Sequence, residues 1–172
     1  MPPQGAAVEA AAQAQNASTQ DDRLLQLVTF TLASEEFGLE ILKVQEIIRT
    51  LEITRVPRAP AFVEGVINLR GKVIPIIGLR RRFGMPDRAQ DKDTRIIVIE
   101  IKQMIVGFVV DSVSEVLRIP ASTVEPPPSI VSGIDSEYIS GVGKLNDRLL
   151  IMIDLDALLS PEQRDGLGGL AG

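Results

Sequence analysis

The hydrophobic pattern is sharpest between Gly65 and Gly84, GVINLRGKVIPIIGLRRRFG, where two apolar runs flank a polar break. Val66, Ile67 and Leu69 form the first run and Val73, Ile74, Ile76 and Ile77 the second, which predicts a β-hairpin. Between them, Gly71 supplies the positive φ of a tight turn, so Arg70 falls at an exposed tip. Leu79 and Phe83 stand four apart and share one face of a helical turn that Gly84 ends. Arg80, Arg81 and Arg82 are expected on its solvated face.

The flanking text carries the same two periods. LLQLVTFTL sets Leu25, Leu27, Thr29 and Thr31 against Gln26, Val28, Phe30 and Leu32, a strand with one strongly apolar face. Ser34-Glu35-Glu36 predicts a polar turn and Phe37-Gly38-Leu39 the returning strand. Between Ile41 and Ile48 helical and alternating periods overlap, and a short helical turn leading into a strand satisfies both. TRVPRAP is a proline-punctuated loop, and Pro86 to Thr94 a charged linker of the kind that joins subdomains. RIIVIEI, Lys102-Gln103 and MIVGFVV predict a second hairpin. Glu125-Pro126-Pro127-Pro128 is an extended connector, Leu149 to Ile153 a strand, and Asp154 to Leu159 a short helix. Residues 1–22 have almost no bulky apolar side chain and predict a disordered tail; residues 161–172 predict a flexible one.

Laid together, the two halves repeat. Phe37-Gly38-Leu39 and Lys43 to Ile48 match Val106-Gly107-Phe108 and Ser112 to Leu117 at an offset of 69. Gly65-Val66, Leu69, Ile77 and Leu79 match Gly141-Val142, Leu145, Ile153 and Leu155 at an offset of 76, with the extra residues in the proline-rich connector. Halves this small should pack on each other over residues 23–160, with a linker near 85–94.

Composition narrows the chemistry. With 3% aromatic residues and no Trp, the core must be packed with Ile, Val and Leu, which favours β-structure. Neither Cys nor His occurs, which removes disulfides, thiolate and imidazole metal sites, and catalysis through Ser-His-Asp or Cys-His. Of the net charge of −5, the two tails hold all but one unit, so the body offers no electrostatic footprint for nucleic acid. No apolar run approaches the roughly 20 residues of a membrane span, and no cofactor is expected.

The blocks FTLASEEFGLEILKVQEII, APAFVEGVINLRGKVIPIIGLRRRFG, VGFVVDSVSEVL and SEYISGVGKLNDRLLIMIDLDALL resemble the CheW family of bacterial chemotaxis coupling proteins, over roughly Arg23 to Leu159. The run NLRG-x-x-x-P-x-x-x-L-R is its most specific part. The resemblance implies a mainly β fold of two interleaved five-stranded SH3-like barrels with short helices, and no enzymatic activity. It also implies a cytoplasmic adaptor at membrane-associated arrays, between chemoreceptor cytoplasmic tips and the histidine kinase CheA. A CheW-like domain of CheV or CheA type is the alternative within the family. About a dozen residues follow the fold here, too few for the receiver domain of CheV.

The family's receptor-contacting positions match Val44, Glu46, Gly65 and Arg70. Val44 is as readily core as contact, and Gly65 suits a backbone need. Glu46 has a counterpart in Glu115, whereas Arg70 has none, because the second half reads Lys144-Leu145-Asn146-Asp147 where the first reads Asn68-Leu69-Arg70-Gly71. Arg70 is therefore expected to be exposed and free to pair with a receptor carboxylate. From another class, Asp111, Asp154 and Asp156 could hold a metal in a hydrolase, and Arg80 to Arg82 could meet nucleic acid, though no aromatic platform accompanies them.

Overall fold

The computed structural model describes residues 23–131 and 133–168. Strands β1 (Leu24–Leu32) and β2 (Glu35–Glu40) form the first hairpin, followed by a 3-10 turn at Ile41–Lys43 and strand β3 (Val44–Arg49). The hairpin β4 (Val63–Leu69) and β5 (Lys72–Gly78) leads into helix α1 (Leu79–Arg82), and β6 (Arg95–Ile101) pairs with β7 (Met104–Val110). Beyond lie β8 (Ser112–Pro120), β9 (Val124–Glu125), and the short pair β10 (Ile130–Val131) and β11 (Ile134–Asp135). The last hairpin, β12 (Ile139–Leu145) and β13 (Arg148–Ile153), precedes α2 (Leu155–Leu158) and α3 (Pro161–Gly168).

Apart from the separate β10–β11 ribbon, these strands assemble in a six-stranded sheet, β8-β1-β2-β13-β12-β9, and a five-stranded one, β3-β6-β7-β5-β4, the two SH3-like barrels expected, with one strand more than five in the outer barrel. Each sheet draws on both halves of the repeat. In the second, all five strands lie between Val44 and Val110, so this inserted barrel is one continuous stretch, enclosed by an outer barrel made from the two ends. The chain passes between barrels at Ile41–Lys43 and again at Asp111. Residues 85–94, expected to link subdomains, instead connect α1 to β6 within the inserted barrel. Their charges anchor the loop, through Arg88–Asp91 at 2.8 Å and Asp91 accepting from the Asp93 and Thr94 N–H groups.

The repeat holds in register. Met152 stands opposite Gly38, and Ile76 opposite Gly107, in equivalent parallel pairings. The bulges repeat too: Gln45 is the extra residue against β6, and Ser114 the extra residue against β1. Ile67, Ile74, Ile76, Ile96 and Val98 fill the inserted barrel, and Leu27, Ile119, Leu150 and Met152 the outer one. Outward faces of both barrels meet in the largest cluster, which includes Phe30, Phe37, Ile97, Ile99, Phe108 and Ile151. Sandwiched between these clusters, β1 is buried on both faces from Leu27 to Phe30, where alternation predicted one apolar face. Thr29 tolerates this because its Oγ1 bonds the Glu115 backbone.

Two further expectations fail for local reasons. The segment from residue 161, expected to be a flexible tail, folds over Pro161–Gly168 into α3, with Leu167 fully buried in the main cluster. Residues 169–172 and the expected N-terminal tail, 1–22, lie outside the described residues. The three arginines of α1 are not a common solvated face either. Arg80 is bonded to Asp111 and Arg82 to the chain leading into α3, and Arg81 has the looser bond, 3.3 Å to Asp87.

Candidate partner-binding site at the inserted-barrel mouth

The site begins with a bulge. Plain alternation would put Val44 and Glu46 on one face, but the extra residue Gln45 separates them. Val44 stands opposite Ile99 and packs, half-buried, against the main cluster. Glu46 stands opposite Val98, whose side chain belongs to the barrel interior, so its carboxylate reaches the barrel mouth. Ile47, next along β3, is 39% exposed.

The partner of Glu46 comes from the β4–β5 turn. Arg70 and Gly71 have φ values of 52° and 86°, as a type I′ turn requires, and Asn68 Oδ1 accepts from the Gly71 N–H at 3.0 Å. A left-handed φ at Arg70, a non-glycine residue, is the sparsely populated part of this turn. Arg70 Nη2 donates to Glu46 Oε1 at 2.6 Å, the two side chains being 72% and 30% exposed. Arg70 is therefore exposed as expected but not free: an acid of its own chain already holds it. Exposed pairs of this kind contribute about 0.2 to 1 kcal/mol, so the bond is exchangeable.

Gly65 acts elsewhere. It follows a second bulge, where Val63 faces Ile77 but Gly65 faces Ile76, and its φ is 153°. A Cβ here would run into the Thr54 carbonyl oxygen, because Thr54 and Val66 exchange backbone hydrogen bonds of 2.9 Å. Extended chain places Gly65 roughly 17 Å from Arg70. Gly65 thus shapes the far end of the hairpin, and the structure brings together Glu46 and Arg70, while the bulge turns Val44 to the main cluster.

An equivalent mouth exists in the outer barrel, which sequence reasoning missed. Glu115 follows its bulge as Glu46 does, and Arg148 Nη2 donates to Glu115 Oε1 at 3.0 Å. Arg148 also stands 3.6 Å from Glu36. The turn position equivalent to Arg70 is Asn146, so the arginine was hidden by a shift along the hairpin. Its proximity to the turn was the available signal.

The carboxylate cluster does not assemble into a metal site. Among the described residues no group of three His, Cys, Asp or Glu is placed to hold a metal ion. Asp154 Oδ1 caps α2, accepting from the Asp156 and Ala157 N–H groups. Asp111 accepts from Arg80 Nε at 3.0 Å, Arg88 Nη1 at 3.1 Å and the Ala33 N–H at 2.8 Å, tying α1, the 85–94 loop and the β1–β2 turn to the crossing point. Burial alone would push its carboxyl up, but the hydrogen bonds from Arg80 and Ala33 and the charges of Arg80 and Arg88 together hold it below the usual carboxylate value. Beside this network a cleft of about 330 Å³ is lined by Arg55, Glu64, Arg81 and Asp87 among others. Burial raises Glu64 there, against the opposing charge of Arg81.

Two barrels packed on each other thus each present an arginine–glutamate pair at the mouth. The CheW-like domain family matches residues 26–163. The chain is 43% identical over 138 residues to the chemotaxis protein CheW of Klebsiella aerogenes, covering 80% of this chain and 83% of that protein. With the CheW of Helicobacter pylori the identity is 37% over 142 residues, covering 83% and 86%. The crystal structure of the scaffolding protein TtCheW from Thermoanaerobacter tengcongensis superposes with a TM-score of 0.75 at 42% identity, covering 81% of this chain and 90% of that one. The chain belongs to the CheW family of chemotaxis scaffold proteins.

Proposed function

We propose that this chain is a non-enzymatic adaptor of chemotaxis signalling that couples chemoreceptor cytoplasmic tips to the histidine kinase CheA at membrane-associated arrays in the cytoplasm. Val44, Glu46 and Arg70 form the receptor contact, and Gly65 holds the hairpin that presents Arg70. The observation that carries this reading is the Arg70–Glu46 pair: a cation on a turn tip, 72% exposed and held by one carboxylate oxygen. A partner offering an acid and an apolar side chain can take Arg70 while covering Val44 and Ile47, and the charges then fix its orientation. No helix among the described residues is long and apolar enough to cross a membrane.

The test compares Arg70→Glu with Arg148→Gln, measuring affinity for a receptor-tip fragment and for CheA, with unfolding curves as control. Glutamine is the control substitution because a glutamate at 148 would face both Glu36 and Glu115. Arg70→Glu should weaken receptor binding by about tenfold or more, since it sets like charges across the contact, with CheA binding nearly intact. Arg148→Gln should leave receptor binding close to normal. Equal losses in the two variants would place the contact elsewhere.

A further inference from the structure

Helix α3 is attached to the body by very little. Its start is a capping box: Ser160 Oγ accepts from the Gln163 N–H at 3.2 Å, and Gln163 Oε1 accepts from the Ser160 N–H at 2.9 Å. One apolar side chain, Leu167, enters the main cluster, while Glu162, Asp165, Gly166 and Gly168 are exposed. Eight residues with two glycines cannot sustain a helix in water alone. Its order therefore depends on docking.

The docking point is Arg82, the last residue of α1. Arg82 Nη2 donates to Gln163 Oε1 at 2.9 Å and Nε to the Leu158 carbonyl at 2.9 Å. Its guanidinium lies 5.2 Å from the Phe62 ring centroid and 5.1 Å from that of Tyr138. Phe62 immediately precedes β4 of the inserted barrel, and Tyr138 immediately precedes β12 of the outer one. One cation thus spans both barrels and also grips the terminal helix.

We propose that α3 is a releasable latch, undocking as a unit while both barrels stay folded. Its release bares the slot that Leu167 fills and frees the Arg82 donors on the inter-barrel face. Arg82 ends α1, which leaves β5 at the end of the β4–β5 hairpin away from the Arg70 turn, so the latch closes on the inter-barrel face and not on that turn.

Hydrogen exchange of the full chain tests this. The amides of Arg164 to Gly168 should exchange on the order of a hundredfold faster than those of β6 and β7. Arg82→Gln should accelerate the helix amides by about tenfold more while leaving β6 and β7 within about twofold. Should Arg82→Gln fail to fold, Leu167→Ala loosens the docking from the helix side and leaves the capping box intact, with the same expectation. Helix amides as protected as β6 and β7, or variants that accelerate strands and helix alike, would show that α3 is an integral part of the barrels and overturn the proposal.

Discussion

The inserted-barrel and outer-barrel mouths start from the same device, a bulge that aims a glutamate at the rim, and differ in how firmly the rim is tied. At the outer mouth the buried Thr29 hydroxyl donates to the Glu115 carbonyl at 3.1 Å and accepts from its N–H at 3.2 Å. Arg148 then lies against two acids, Glu115 and Glu36. At the inserted mouth Val98 stands where Thr29 would, and can bond nothing, while Arg70 holds Glu46 alone. Duplication thus supplied two rims, of which one is fixed on three sides and the other kept open to exchange. This difference is what the proposed receptor contact rests on, because a partner at the less tied rim has fewer bonds to displace.

The largest effect expected from breaking this parallel is at the glycines behind the bulges. Gly65→Ala should cost about 3 kcal/mol, because its Cβ meets rigid backbone at a positive φ, whereas Gly141→Ala, whose Cβ meets mainly the Val124 side chain, should cost about 1 kcal/mol. Urea unfolding of both variants measures the difference, and equal losses would make the two bulges equally tight.

Next in size is the crossing point, which among the described residues has a charged tie at Asp111 and none at Ile41–Lys43. Asp111→Asn should lose about 2 kcal/mol near neutrality by weakening several charge-assisted bonds. Since the Asp111 carboxyl is held below its ordinary value, its contribution is complete above the unfolded carboxyl's titration and fades as pH falls through the folded one. Stability curves of the parent and Asp111→Asn should therefore converge in acid. Curves that stay parallel down to the acid limit would assign the loss to packing instead.

Thr29→Val makes the outer rim resemble the inserted one and should cost about 1 kcal/mol, with faster hydrogen exchange at the Glu115 amide. Unchanged exchange there would mean that the hydroxyl does not pin the rim. Smallest of all, a double-mutant cycle on Arg70 and Glu46 should give a coupling of roughly 0.5 kcal/mol that disappears near 1 M salt. A coupling several times larger would describe a structural lock, not an exchangeable pair.

Much of this was legible in the residues. Hairpins announced themselves because alternation and turn residues agree, as at Val66 to Ile77, and the repeat could be aligned on Gly38 with Gly107 and Glu46 with Glu115. The bulges were not legible, since one extra residue in a strand leaves no mark when both faces are apolar or mixed. This is why the overlap of periods between Ile41 and Ile48 did not show that Val44 and Glu46 part company. Arg80 to Arg82 read as a solvated run because successive residues on a helix point in different directions, and their partners, Asp111 and Gln163, lie far along the chain. Helix α3 escaped because a single buried leucine gives no period, although Ser160-Pro161-Glu162-Gln163 carries a helix-start signature in full.

The insertion of one barrel's sequence within the other's also sets an order of events during synthesis. Every strand of the inserted barrel has emerged once Val110 has, so its contacts can close locally. The β1–β2 hairpin, first to emerge, has no such company. Its partners β8 and β13 arrive later, and the parallel pairing of Phe37 with Ile151 waits until nearly the far end of the chain. Throughout that interval Leu27 has no outer-barrel interior to enter, and Phe30, Phe37 and Leu39 have only the inserted barrel's outward face to meet. The newborn chain therefore passes through a stage with one finished barrel and one bare, sticky hairpin, when self-association and chaperone capture compete with completion of the fold.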